Sequence, residues 1–156
     1  MAFHVLHYGE ADLYAINKAR YLNEKNVDGI VVQNDDEQKK AAPENINSLA
    51  TGMFVTGLEY SAGKASIVIG KPSPHFFAAG LEKIGCSVED TVMIGDDYKD
   101  DVGGAMRFGM RAVLCKTGKY RANDEDKLNP PPTVTVDNID KAVEWILAYN
   151  ESLGKH

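Results

Sequence analysis

Val92 to Ala105 read VMIGDDYKDDVGGA, in which a short apolar run ends in glycine and four aspartates fill the six positions 96–101. An apolar run this short, closed by turn residues, fits a buried strand better than a helix. The residues after it, Val102, Ala105, Met106 and Phe108, recur at helical spacing up to Gly109. Strand, acidic loop and helix follow one another without a break. Carboxylates crowded in this way repel unless they are protonated, solvated or neutralised by a cation.

The pattern continues on both sides. Thr51 caps a helix through Phe54, Val55 and Leu58 that Gly63 closes, and ASIVIG at 65–70 reads as a buried parallel strand. Ser73 and Pro74 open a helix carrying Phe76, Phe77, Leu81 and Ile84, with Gly85 as its stop. MRAVLC at 110–115 and TVTV at 133–136 are further strands, separated by a polar segment ending in NPPP. A last helix, capped by Asp137 or Asn138, places Ile139, Ala142, Val143, Ile146 and Leu147 on its apolar face. Strands alternating with helices predict a doubly wound α/β parallel sheet. The first fifty residues are less regular. ADLYAIN and DGIVVQ contain strand-like runs, and residues 34–48 read as a polar surface loop or disordered insert.

Composition excludes several classes. A chain of 156 residues with 44% apolar side chains can build one core, and a net charge of −6 argues against a nucleic-acid partner. The apolar runs are too short to span a membrane and the first residues, MAFHVLHYGE, lack a signal-peptide pattern, so a cytoplasmic protein is expected. Cys86 and Cys115 lack metal or disulfide spacing and read as buried free thiols. His4 and His7, and the Asn-x-Ser at 150–152, read as incidental.

In a doubly wound sheet, ligands gather at the carboxyl ends of the strands, and Asp96 and Asp97 stand at one such end. One or two carboxylates, completed by water and substrate phosphate, are what Mg²⁺ prefers. The competing reading is a helix cap, which explains one aspartate, such as Asp97 or Asp100, but not four. Lys71, placed directly after ASIVIG in GKPSPHFF, stands where an ammonium could neutralise a phosphoryl group.

GKP before an apolar helix, then VMIGDDYKDDVGGA, GMRAVLCKTGKYR and NPPP, resembles the haloacid dehalogenase (HAD) superfamily of phosphatases, in its branch with a large α/β cap. The resemblance runs from Phe54 to about Leu147, and INKARY at 16–21 with the DG at 28–29 looks like the end of the cap. It implies a cap remnant with a polar insert over 1–52, and the C-terminal half of a HAD-like core over 53–156. It further implies Mg²⁺ as cofactor, held by Asp96 and Asp97. Lys71 would bind the phosphoryl group and act in catalysis, and Asp101 would support the lysine and the metal shell. The substrate class would be a phosphorylated small molecule or a phosphoprotein.

The family's reaction starts from the first aspartate of an Asp-x-Asp-Gly loop, which forms an acyl phosphate that water then hydrolyses. That pattern does not occur in the 156 residues; the nearest approach, GIVVQNDDE with Asp35 and Glu37, lacks the glycine. The expectation is therefore a phosphatase lineage whose present chain is inactive alone, and which forms a homo-oligomer or pairs with a full-length relative through a newly open sheet edge. The alternative is a non-catalytic truncated isoform acting as an interaction or dimerisation module. A receiver-like or nucleotide-binding reading is weaker, because KTGKY at 116–120 lacks the upstream glycine of a phosphate loop.

Overall fold

The computed structural model describes residues 11–25 and 45–154. In chain order these form strands β1 (Tyr14–Ala15), β2 (Tyr21–Lys25) and β3 (Asn45–Leu49), helix α1 (Gly52–Ala62), strand β4 (Ile67–Val68) and helix α2 (Pro74–Ile84). Strand β5 (Val92–Gly95), a wide helical turn (Tyr98–Val102), helix α3 (Gly103–Phe108) and strand β6 (Arg111–Cys115) follow. A 3₁₀ turn (Asp124–Lys127), strand β7 (Val134–Val136) and helix α4 (Ile139–Ser152) complete the chain. DGIVVQ, most of the 34–48 segment, His4 and His7 lie outside the described residues.

The chain divides into two units. In the first, β2 and β3 pair antiparallel, with Tyr21 opposite Leu49, and α1 follows. Residues 45–48, expected to end a polar loop, thus belong to a strand: five residues of ladder satisfy their backbone groups, which outweighs their weak strand composition. Lys18 bridges to Glu59 on α1 at 2.7 Å. Added to Gly52, a Cβ would lie 2.6 Å from the Ala19 carbonyl oxygen, so only glycine lets α1 start so close to that backbone.

The second unit holds two parallel sheets, β1–β4 and β5–β6–β7, with β6 central in the larger one. Its α/β layering follows from the alternation of β6. Ala112 and Leu114 face one way and join Phe77 of α2 with Val102, Ala105 and Met110, all buried. Val113 and Cys115 face the other way and join Ala142 of α4, with Val134, Val136 and Trp145 packed around them. A strand covered on both faces reads as a continuous apolar run, as RAVLC does. Among the described residues β5 pairs only with β6, so its far edge is open.

Several expectations change in detail. ASIVIG forms a ladder only at Ile67–Val68, and Ile67 and Ile69 are exposed, since its single described neighbour is the two-residue β1. Helix α2 begins at Pro74 and stops at a left-handed Gly85, but neither Ser73 nor Thr51 makes a side-chain capping bond. On α4 the cap is Asn138, which accepts from the Lys141 N–H. Its packed face centres on Ala142 and Trp145, while Ile139, Val143 and Leu147 are exposed. That face is rotated from the expected stripe because β6 offers the small Ala142 a close approach. Cys115 is buried, but Cys86 is exposed, because it follows the glycine that ends α2 and lies on the turn to β5.

Two glycines separate tight packing from open space. A Cβ on Gly104 would lie 2.9 Å from both the Phe77 ring and Pro72, whereas one on Gly80, inside α2, would meet nothing within 4 Å. Gly104→Ala is expected to destabilise the chain by about 1–3 kcal/mol, because overpacking outweighs the helix gain. Gly80→Ala is expected to stabilise it by about 0.5–1 kcal/mol. Urea unfolding of the two variants against the parent checks both signs.

Candidate phosphoryl and metal site

The site is built where β5 and β6 end. Strand β5 stops at Gly95, and the chain turns through Asp96 and Asp97 into a wide turn in which the Val102 N–H donates to the Asp97 carbonyl, five residues back. Such expanded turns recur at functional sites because they redirect side chains that a regular helix would point elsewhere. Here the turn brings Asp101 back over the strand it followed. A Cβ on Gly95 would lie 2.4 Å from the Asp101 Cβ, so the glycine makes room for the aspartate.

Asp101 is buried and holds two partners. Its Oδ1 accepts from Lys71 Nζ at 2.6 Å, and its Oδ2 accepts from the Asp97 N–H at 3.3 Å. The Lys71 side chain is 40% exposed against 8% for Asp101, so the lysine keeps one side open toward solvent and a ligand while it is anchored from below. The expected convergence of Lys71 with the acidic loop is thus present in the geometry.

Asp97 is occupied twice. Its Oδ1 caps the wide turn, accepting from the N–H groups of Lys99 and Asp100 at 3.0 Å each, and its Oδ2 accepts from Lys119 Nζ at 3.2 Å. Burial pushes its carboxyl up, but the Asp100 N–H and the Lys119 ammonium outweigh that and hold it below its ordinary value. Asp96 is engaged through Oδ2, which accepts from the Lys119 N–H at 3.0 Å. Asp100 is shifted up, first by burial and then by the charge of Asp97. Among the described residues no three metal-ligating side chains converge on one point.

Lys119 was not anticipated. It follows β6 in CKTGKY, a loop that matches the family pattern without singling out this lysine. A cation just past one strand end, beside four carboxylates past the neighbouring strand end, was the available signal. Burial lowers the Lys119 ammonium, but its bond to Asp97 and the charges of Asp97, Asp100 and Asp101 outweigh this and raise it. Gly118 beside it has φ +42°, and a Cβ there would lie 1.9 Å from Asp96 Oδ2.

An all-oxygen donor set at a strand end fits Mg²⁺, which takes one or two protein carboxylates and keeps several waters. Among the described residues Asp96 has one oxygen held by a backbone N–H, and two lysines, paired with Asp101 and Asp97, flank the group.

Residues 68–142 match the family model described as HAD-hydrolase-like. The chain is 47% identical over 148 residues to haloacid dehalogenase-like hydrolase domain-containing protein 2 of Bos taurus, across 95% of this chain and 49% of that protein. It is 45% identical over 101 residues to phospholysine phosphohistidine inorganic pyrophosphate phosphatase of Homo sapiens, across 65% of this chain and 37% of that protein. In fold it is similar to p-nitrophenyl phosphatase from Archaeoglobus fulgidus, with a TM-score of 0.62 at 22% identity over 85% of this chain and 46% of that one. The chain spans about half the length of the first of these relatives. The lysine, the acidic strand-end loop and the β5–β6–β7 sheet all lie inside residues 68–142, the part of the chain that matches the haloacid dehalogenase-like hydrolases.

Proposed function

We propose that these residues form the Mg²⁺-binding and phosphoryl-binding half of a phosphatase site. The observation that carries this reading is the Lys71–Asp101 pair standing beside Asp96 at the end of β5. Lys71 offsets the charge of the bound phosphoryl group, and Asp101 fixes where its ammonium sits. Asp96 provides the carboxylate for Mg²⁺, which when bound would neutralise phosphate oxygens. Asp97 stands beside it, with the tasks of shaping the turn and holding Lys119. The substrate class is a phosphorylated small molecule or a phosphoprotein.

The reaction also needs an aspartate nucleophile, and no Asp-x-Asp-Gly loop occurs in these 156 residues. We propose that the nucleophile comes from another segment or a second chain, whose strand lies along the open edge of β5. Supporting this are the unpaired edge among the described residues and the position of Asp96 at its carboxyl end. Alone, the 156-residue chain then binds the metal and inorganic phosphate but does not hydrolyse phosphate esters. The free thiols, one of them exposed, suit a reducing cytoplasmic compartment.

In calorimetric titrations, Asp96→Asn is expected to weaken Mg²⁺ binding at least about tenfold, a difference of about 1.4 kcal/mol. Asp97→Ala is expected instead to lower stability by about 0.5–2 kcal/mol through loss of the cap. Unchanged Mg²⁺ affinity in Asp96→Asn would remove Asp96 from the metal site. With p-nitrophenyl phosphate and Mg²⁺, the isolated chain is expected to turn over no faster than its Asp96→Asn variant. Rapid turnover that this substitution abolishes would overturn the dependence on an external nucleophile.

A further inference from the structure

A second cavity opens at the other end of the same sheet. It measures about 640 Å³ and lies among α3, the start of β6 and the segment 127–133. Arg111 begins β6 and Cys115 ends it, so this part of the lining stands roughly 13 Å of strand from the carboxyl end of β6. Ligands of doubly wound sheets normally bind at the carboxyl ends, and the site described above already occupies that end. The cavity reaches Gly103, next after the wide turn, but none of Lys71, Asp96, Asp97, Asp101 or Lys119 lines it.

Its lining combines apolar surface with positive charge. Val88, Met106, Met110 and Leu128 supply the apolar walls, and Arg107, Arg111 and Lys127 approach from three different elements. Lys127 is paired with buried Asp124 at 2.6 Å. Arg111 donates to the Glu89 carbonyl and lies over the Tyr149 ring. Arg107 is different: it is exposed at the mouth and has neither an ion pair nor a hydrogen bond among the described residues. Its place in the last turn of α3 favours any cation, which accounts for one basic residue. It does not account for three cations around one apolar hollow in a chain of net charge −6. Glu89 is the acidic residue in the lining.

Ligand pockets of several hundred Å³ are mostly apolar, with a few polar groups that fix orientation. We propose that this cavity is a second binding site, for a small amphipathic anion: a carboxylate, sulfonate or phosphate head on an aromatic or short aliphatic body. The head meets the Arg107 guanidinium, whose planar fork suits such oxyanions. The body lies against Met106 and Leu128, and the flexible methionine adapts to its shape. Arg111, anchored on a neutral carbonyl, adds positive potential at a further point of the rim, whereas the Lys127 charge is offset by Asp124.

The test uses naphthalene-1-sulfonate as the probe and neutral 1-naphthol as its control, titrated into the 156-residue chain and followed by backbone amide NMR shifts. Binding with a dissociation constant of about 1 mM or tighter is expected, with shifts concentrated at 106–111 and 127–133. Arg107→Ala should weaken the sulfonate at least about tenfold and leave the naphthol unaffected, while Arg107→Lys retains part of the affinity. Because Arg107 is exposed, an unchanged circular dichroism spectrum is expected for both variants. Saturating Mg²⁺ and inorganic phosphate should not compete, which separates this result from the fate of the acidic site. Shifts confined to residues 95–101 and 118–119, equal affinity for sulfonate and naphthol, or no effect of Arg107→Ala would each overturn the proposal.

Discussion

The 2.6 Å contact between Lys71 and Asp101 joins two parts of the chain thirty residues apart, and the rest of the site depends on it. A carboxylate as buried as Asp101 is tolerable only when its charge and lone pairs are satisfied. Lys71 supplies the charge and the Asp97 N–H supplies the second bond. Each requirement places a condition on a neighbour. Gly95 must lack a side chain, the turn after Asp97 must be wide enough to return Asp101 over the strand, and Asp97 must hold that turn open. Asp97 then has one oxygen left for Lys119, whose own N–H reaches Asp96. Five side chains and one glycine form a single arrangement.

Much of this was legible in the sequence because β6 and its neighbours obey local rules. RAVLC is apolar throughout because both its faces are covered, and α2 carries its start and stop signals in Pro74 and Gly85. Asp96, Asp101 and Lys71 follow strands, where chemistry gathers in this class of fold. Periodicity reaches its limit where a partner decides the outcome. ASIVIG has the composition of a buried strand yet pairs over only two residues with β1. Residues 45–48 look like loop and are paired through the ladder with β2. In α4 several residues could have faced the sheet, and Ala142 and Trp145 are the ones that pack.

Lys119 illustrates another limit. A lysine after a strand is usually solvated, and nothing local to CKTGKY distinguishes it. Its meaning comes from β5 lying beside β6 in parallel register, with Gly95 opposite Leu114, which sets the acidic loop next to the basic one. Cooperation between loops that lie more than twenty residues apart is a property of the sheet.

Gly118 carries a consequence for how such sequences can drift. Its left-handed backbone and the 1.9 Å gap to Asp96 leave no volume for any other residue unless the aspartate moves first. The loops after β5 and β6 are therefore not independently mutable. A side chain at 118 is felt first at the Asp96 carboxylate, so a change made in the β6 loop is read out at the end of β5.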